Sequence, residues 1–143
     1  MKGLFLTMEG PDGSGKTTQI SKLKTYLEAN GYTEVVLTRE PGGTAISEAV
    51  RGILLNRAYA EMDDHTEALL YAAARAQLVA QVIRPALEAG KAVISDRFVD
   101  SSAVYQGMAR GLGVQEIYDL NEFAMQGIWP DMTIHLDLPA EVG

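Results

Sequence analysis

Short apolar runs alternate with segments of helical periodicity along the chain. The apolar runs have the length of strands buried in a sheet, and they lie at 3–9, 34–38, 91–95 and 131–138. The first run ends at a glycine, which commonly marks the end of a strand. The pattern therefore predicts four short strands, separated by longer segments of a different period.

Between these strands, apolar residues recur every three or four positions, as on the buried face of a helix. Thr44 is expected to cap the second predicted helix with its side-chain oxygen. Pro85 lies inside the third and should kink or break its last turns. The predicted helices cover 16–29, 45–55, 65–89, 101–109 and 114–127.

This alternation of strands and helices is typical of an α/β fold. Strands separated by helices favour a doubly wound parallel sheet with helices on both faces. The pattern contains no linker and no repeat, so we interpret residues 1–143 as one domain. Ligands of such sheets bind at the carboxyl ends of the strands, so the loops that follow the predicted strands are the expected place for a site.

Composition and charge exclude several classes of protein. The chain has 12 Lys and Arg residues against 19 Asp and Glu residues, which gives a net charge of −7. It has no run of basic residues, so no nucleic-acid partner is expected. No apolar run approaches the roughly 20 residues of a membrane-spanning helix, and the chain has no cysteine. We therefore expect a cytoplasmic protein without a membrane partner.

One loop carries a complete phosphate-binding motif. Residues 10–17 read GPDGSGKT and fit the pattern G-x-x-x-x-G-K-[ST], with a predicted strand before them and a predicted helix after them. The glycines let backbone N–H groups turn toward phosphate oxygens, and the start of the helix adds a positive dipole end. Lys16 is expected to reach the outer phosphates, and the Thr17 hydroxyl suits Mg²⁺. The residues expected to bind the phosphates of the triphosphate are Gly10, Asp12, Gly13, Ser14, Gly15, Lys16, Thr17 and Thr18.

This loop alone does not identify the acceptor of the phosphate, which could be water, a protein or a small molecule. GTPases of this class read guanine with an N-K-x-D stretch after a strand, and the sequence contains none. The acceptor must therefore be inferred from the rest of the chain.

Asp96 and Arg97 follow the third predicted strand in the sequence AVISDRF. An aspartate at the end of an apolar strand is the usual companion of a phosphate-binding loop, where it holds Mg²⁺ directly or through water. The guanidinium of Arg97 is a permanently charged planar fork that can lie across phosphates. The alternative is a surface ion pair, which is less typical of the carboxyl end of a strand.

Other polar candidates stay ambiguous from spacing alone. Tyr71 and Arg75 share one face of a predicted helix and could hold a base and a phosphate. A core tyrosine beside a solvated arginine is the more common arrangement for such a pair. The loop TREPGGT, at 38–44, suits either a binding loop or a plain turn.

Four further residues carry no assignment of their own. Arg51 follows the apolar face of its predicted helix. Ser102, Tyr105 and Gln106 share a helical face that could equally be a polar surface.

Taken together, these segments resemble the bacterial thymidylate kinases, a family of P-loop nucleoside monophosphate kinases. No single segment other than the phosphate-binding loop is decisive, but the combination is specific and follows the order of the family. The matching segments are GPDGSGKTT, TREPGGT, LLYAAARAQL, SDRF, DSSAVYQGMARG and PDMTIHLDLPAEVG.

The resemblance implies that Mg-ATP transfers its γ-phosphoryl group to dTMP, giving dTDP and ADP for dTTP synthesis. Lys16 and the loop amides would hold the ATP phosphates, and Arg97 would bridge the donor and acceptor phosphates. Thr17 and Asp96 would hold Mg²⁺, with Asp96 acting through water. The implied catalytic residues are Lys16, Asp96 and Arg97.

The resemblance also gives roles to the ambiguous residues. Arg75 and Arg51 would hold the dTMP phosphate, and Tyr71 would lie against the thymine ring. The thymine edge and the sugar would be contacted by the other members of the set. The residues implied to bind dTMP are Asp12, Glu40, Arg51, Tyr71, Arg75, Arg97, Ser102, Tyr105 and Gln106. A homodimer is implied as well, and the apolar faces of helices 45–55 and 65–89 permit one.

The sequence departs from the family pattern in two ways. Some members carry an arginine after the aspartate of the loop, where this chain has Gly13. Members without this arginine usually supply the cation from a mobile lid, which should begin where this chain ends, at Gly143. The domain is therefore expected to be incomplete, without the lid and the final strand and helix. We expect the 143 residues to bind dTMP weakly and to turn over poorly, because loss of such a cation lowers the rate by ~10³–10⁵.

Two other functions remain open at this point. The first is another small P-loop kinase whose acceptor is CMP, dUMP, AMP or shikimate. The second is a switch module that hydrolyses a nucleotide without any small-molecule acceptor. An acceptor panel separates the first from a thymidylate kinase, and nucleotide hydrolysis in the absence of an acceptor indicates the second.

Overall fold

A computed structural model describes residues 2–11 and 13–137. Its strands form one parallel sheet in the order β2-β3-β1-β4. Met8 of β1 and Arg39 of β2 both lie opposite Asp96 of β3, so three strands end at the same edge of the sheet. The strands are β1 (Leu4–Glu9), β2 (Val35–Arg39), β3 (Ala92–Asp96) and β4 (Met132–His135). The predicted parallel α/β fold is confirmed.

Helical segments connect the strands. Thr44 caps α2 by accepting a hydrogen bond from the Ser47 N–H, as the sequence predicts. Two of the segments are wider π-helical turns, here called the first and second π segments. The α-helices are α1 (Lys16–Ala29), α2 (Ala45–Leu55), α3 (Asp64–Leu78), α4 (Arg84–Glu88), α5 (Val99–Ser102) and α6 (Val114–Met125), and the π segments are Val79–Ile83 and Ala103–Ala109.

The long helix predicted at 65–89 continues past its proline. Pro85 has no N–H and cannot make the α-helical bond to the residue four positions back. The chain passes through the first π segment directly before this proline and stays helical to Glu88. The predicted disturbance is therefore a widened turn, and the helix does not break.

The sheet is covered on both faces, because alternate strand residues point to opposite sides. Phe5 and Val93 pack with Leu78 and other residues of the helices on one face. Leu6 and Ile94 pack on the opposite face with Ile20 of α1. Within the described residues, no helix has the length and apolar character needed to cross a membrane.

Candidate active site

The phosphate-binding loop connects β1 to α1 and ends in two glycines with left-handed backbones. Gly13 has a φ of 78° and Gly15 a φ of 90°, a conformation that side chains disfavour. Gly15 is the N-cap of α1 and brings no side chain to the first N–H groups of the helix. The Ser14 hydroxyl is buried and has no hydrogen-bond partner in the described part of the chain. The first N–H groups of α1 and the Ser14 hydroxyl can therefore donate to an anion without displacing a protein group.

Lys16 reaches from this loop to the end of β3. Its Nζ lies 2.9 Å from Asp96 Oδ1, and the side chain of Lys16 is only 7% exposed. The two residues share an open cavity of about 370 Å³ with Gly13, Gly15 and Thr17. We call it the donor cavity. A buried lysine, a hydroxyl and a carboxylate thus meet beside the glycines of the loop in one space.

The donor cavity offers the ligand types that Mg²⁺ prefers. The Thr17 hydroxyl and the Asp96 carboxylate both line it, and Mg²⁺ is usually held by one or two protein oxygens together with water and phosphate oxygens. No group of three or more potential metal-binding side chains (His, Cys, Asp or Glu) occurs in the described residues. Thr17 and Asp96 are therefore the residues of this cavity whose oxygens could hold a metal ion.

Arg97, the next residue along, has an unusual backbone. Its φ is 70°, in the left-handed region that residues other than glycine rarely adopt. The Arg97 N–H donates to the Met8 carbonyl over 2.9 Å, and the Ser95 hydroxyl donates to the Arg97 carbonyl over 2.7 Å. Strained backbones of this kind concentrate at functional sites.

Glu9, at the end of β1, fixes the segment that follows Arg97. Its carboxylate accepts hydrogen bonds from the Phe98 N–H over 3.1 Å and from the Ser101 hydroxyl over 2.6 Å. Burial raises the pKa of Glu9, and these hydrogen bonds oppose the rise. The start of α5 is thereby tied to the strand that leads into the phosphate-binding loop.

A second cavity, of about 240 Å³, lies beside the donor cavity and is more enclosed. We call it the acceptor cavity. Seven of the nine residues that the resemblance implies for dTMP line it, although they come from three separate segments of the chain. The lining residues are Glu40, Pro41, Tyr71, Arg75, Arg97, Phe98, Ser101, Ser102, Tyr105 and Gln106.

The other two residues of that set do not line the cavity in the structure. Arg51 lies at its rim and donates from Nη1 to the carbonyl of Pro41, which is a lining residue, over 2.9 Å. Asp12 lies outside the described residues. Of the residues expected to bind the triphosphate, Thr18 is exposed on α1, and Gly10 faces a neighbouring cavity with Glu9.

Arg75 is the most buried charged group of the site. It is 1% exposed. The prediction of a solvated arginine, which spacing alone favours, is therefore wrong. Its Nε donates to both oxygens of Glu40, over 2.8 and 3.1 Å, and its Nη2 donates to the Ser102 hydroxyl over 3.0 Å. Asn121 and the ring and carbonyl of Phe98 complete its surroundings. The charge can be buried because three other segments supply acceptors for it.

Glu40 is the partner that titrates in this network. Burial raises its pKa to about 7, and the neighbouring Arg75 guanidinium opposes that rise. The 38–44 loop therefore combines the two alternatives that the sequence leaves open. Glu40 and Pro41 line the acceptor cavity, and the two glycines that follow them make the turn into α2.

Sequence reasoning misses Glu9, Glu67, Phe98 and Asn121. Glu67 carries a signal that could have been found, because it lies four residues before Tyr71 and eight before Arg75 and so shares their face of α3. Its Oε1 accepts a hydrogen bond from Gln106 Nε2 over 3.1 Å. Asn121 carries no such signal, since only the packing of α6 against α3 brings it to Arg75.

A family model described as thymidylate kinase matches residues 8–143. The chain is 55% identical, over all of its 143 residues, to a thymidylate kinase of Geobacillus thermodenitrificans, and it spans 63% of that relative's length. It is 52% identical over 142 residues to a thymidylate kinase of Clostridium novyi, and it spans 69% of that relative.

A solved structure gives the same result for the fold. The crystal structure of a thymidylate kinase from Ehrlichia chaffeensis superimposes with a TM-score of 0.85 at 41% identity. The match covers 96% of this chain and 76% of the other. The sheet and the positions of its helices are therefore those of a known P-loop kinase fold.

Proposed function

The chain belongs to the thymidylate kinase family, and we propose that it transfers the γ-phosphoryl group of ATP to the phosphate of dTMP, giving dTDP and ADP. One observation carries the proposal. Asp96 lines the donor cavity, while Arg97, the next residue, lines the acceptor cavity. A donor phosphate and an acceptor phosphate would thus meet at adjacent residues.

In the donor cavity, the loop amides and Lys16 would hold the ATP phosphates. Lys16 would exchange its Asp96 partner for phosphate oxygens, since a lysine binds phosphate as a mobile point charge. Thr17 and Asp96 are the residues that would hold Mg²⁺, which supplies neutralisation of phosphate charge when bound. The metal and the positions of its ligands belong to this proposal.

In the acceptor cavity, Arg97 and Arg51 would hold the dTMP phosphate. Arg97 lines the cavity, Arg51 donates to the carbonyl of Pro41 at its rim, and the Arg75 guanidinium is bonded to Glu40 and Ser102. Arg75 would instead contact dTMP from the buried end. Tyr71 offers a ring to stack on the base, and the half-exposed Tyr105 would lie toward the sugar.

The reaction proposed needs positioning and charge neutralisation more than proton transfer. The acceptor oxygen of dTMP is ionised near neutral pH, so no strong general base is required. The cations and the strained Arg97 backbone would hold two phosphates close together despite their repulsion. We therefore assign Lys16, Asp96 and Arg97 as the catalytic residues without giving Asp96 the role of a base.

A homodimer in the cytoplasm is part of the proposal. α3 packs between α2 and α6, and these helices expose Ile46, Leu69 and Phe123 at 57%, 55% and 92%. A second copy of the chain would cover these side chains. Light scattering on the protein and on a Phe123→Asp variant tests this, and a wild-type protein that stays monomeric at all concentrations contradicts it.

The activity is tested by ADP formation from Mg-ATP with dTMP, dUMP, dCMP, AMP or no acceptor. The assay is run on the 143-residue chain and on the same chain extended past Gly143 by the remaining residues of the Geobacillus relative. We expect a strong preference for dTMP, and higher turnover in the extended chain. ADP formation that ignores the acceptor would overturn the kinase proposal in favour of a nucleotide-hydrolysing switch.

A further inference from the structure

Gln106, a buried residue at the wall of the acceptor cavity, has an unpaired polar atom. Its side chain is 3% exposed and lines the cavity. Its Nε2 donates to Glu67 Oε1 over 3.1 Å. Its Oε1 is buried and has no hydrogen-bond partner among the described residues. A buried acceptor left unpaired destabilises a protein by about 1–3 kcal/mol, so this oxygen is a candidate contact for a ligand.

The orientation of this amide follows from its neighbour. An ionised carboxylate can only accept hydrogen bonds, so Glu67 selects the NH₂ group of Gln106 as its partner. The oxygen of the same amide then faces away from Glu67. If the residue at 67 were a donor or an amide, the opposite orientation of Gln106 would be equally available.

Arg110 holds Glu67 in place from outside the cavity. Its Nε lies 3.3 Å from Glu67 Oε1, and its Nη2 lies 3.4 Å from Oε2. Asp64 also lies near Arg110, at 3.9 Å, but no hydrogen bond joins it to Gln106. Glu67 is therefore held by one exposed cation and in turn fixes one buried amide.

We propose that Glu67 is a positioning residue that sets the base selectivity of the acceptor cavity, by fixing Gln106 with its carbonyl oxygen toward the ligand. The inference rests on the proposed function. A carbonyl oxygen accepts the N3–H of a thymine or uracil ring. Cytosine carries an unprotonated acceptor at N3, so its edge would face the Gln106 oxygen with a second acceptor. Selectivity would then depend on a residue that does not contact the nucleotide.

The test compares binding of dUMP and dCMP, because these nucleotides differ only at the N3 and C4 edge of the ring. Binding of dTMP, dUMP and dCMP to the 143-residue protein is measured by calorimetry. The variants are Glu67→Gln, Arg110→Gln and the control Asp64→Asn, which removes a charge near Arg110 without touching Gln106. Thermal unfolding of each variant is recorded in parallel.

We expect the wild-type protein to prefer dUMP over dCMP by about tenfold or more, in line with the penalty for an unpaired buried acceptor. Glu67→Gln should bring this ratio close to one, because an amide at 67 pairs with Gln106 in either orientation. Arg110→Gln should lower the ratio by a smaller factor, and it keeps the test decisive if Glu67→Gln does not fold. Asp64→Asn should leave the ratio unchanged.

Equal loss of affinity for dUMP and dCMP in Glu67→Gln, with an unchanged ratio, would reduce Glu67 to a structural residue and overturn the inference. A wild-type protein that binds dTMP but does not distinguish dUMP from dCMP would also overturn it and would leave the proposed function standing. A wild-type protein that does not bind dTMP at all would overturn both.

Discussion

The donor and acceptor cavities lie side by side and are built in different ways. The donor cavity is open and is formed largely by one continuous stretch of chain, with the exposed Gly13, Gly15 and Thr17 around the buried Lys16. The acceptor cavity is more enclosed and is formed by side chains from three segments, linked through the buried Arg75. The donor cavity suits a flexible polyanion, and the acceptor cavity suits one base held in one orientation.

This difference separates the energetic roles of the two cavities. The donor cavity contributes to folding mainly through the ion pair of Lys16 with Asp96, because the rest of its lining is open to water. Residues of the acceptor cavity contribute to folding as well as to binding, because their hydrogen bonds are made in the absence of ligand. Substitutions in the two cavities should therefore change different measured quantities.

The largest effect is expected for Lys16→Met. Loss of a cation that neutralises transferring phosphates should lower turnover by about 10³-fold, while dTMP affinity changes little. ADP formation in the extended chain and dTMP calorimetry measure the two quantities. A parallel loss of dTMP affinity would show that the two cavities are not independent.

Arg75→Met should instead act mainly on the free energy of unfolding. Removing one partner of a buried ion pair leaves Glu40 without its cation, so the free energy of unfolding should fall by about 3 kcal/mol. Urea denaturation of the 143-residue chain provides the measurement. The matched control is Arg39→Met, which breaks the exposed 3.3 Å pair with Glu48 and should change stability by less than about 1 kcal/mol. Similar effects of both substitutions would refute a special role for the buried network.

The two cavities also differ in how much the sequence reveals. The donor cavity could be predicted almost completely, because its glycines, lysine and hydroxyl residue belong to one motif of eight residues, at 10–17. Asp96 was found because the end of an apolar strand is a defined position. For Arg75, spacing alone favoured a solvated side chain, since the acceptors that make its burial tolerable come from residues 40, 102 and 121.

The sequence predicts the two π segments less well than the donor cavity and better than the burial of Arg75. A proline inside a helical pattern predicts a disturbance, and one was found before Pro85. No comparable signal marks the second π segment, where Tyr105 and Gln106 turn toward the cavity. Such widened turns are frequent at functional sites, but their position depends on packing that local periodicity does not encode.

The acceptor cavity should also make stability depend on pH through Glu40. The pKa of this carboxyl is about 7 in the folded protein, above its ordinary value of 4.5. Between these values the folded protein holds a proton that the unfolded chain has released, so unfolding releases a proton. The stabilisation from Glu40 is therefore complete below about pH 4.5 and is lost as the pH rises through 7, with a size on the order of 2 kcal/mol.

Urea denaturation from pH 4.5 to 8, compared with Glu40→Gln, isolates this contribution. Identical pH profiles for the two proteins would contradict it.

The smallest effect is expected for Glu9→Gln, at the boundary between the two cavities. Glu9 accepts from the Phe98 N–H and the Ser101 hydroxyl with separate oxygens. Glutamine has a single oxygen, so it can keep both contacts only if the Ser101 hydroxyl turns to accept from the new NH₂ group. The free energy of unfolding should fall by about 1 kcal/mol.

Turnover should fall more than dTMP affinity, because the segment that Glu9 holds begins directly after Arg97 and supports its strained backbone. Urea denaturation and the ADP assay give the two values. Glu122→Gln on the exposed face of α6 is the control for the loss of one negative charge. A loss of stability with unchanged turnover would show that Arg97 keeps its position without Glu9, and that the two cavities meet at a more rigid boundary than these hydrogen bonds imply.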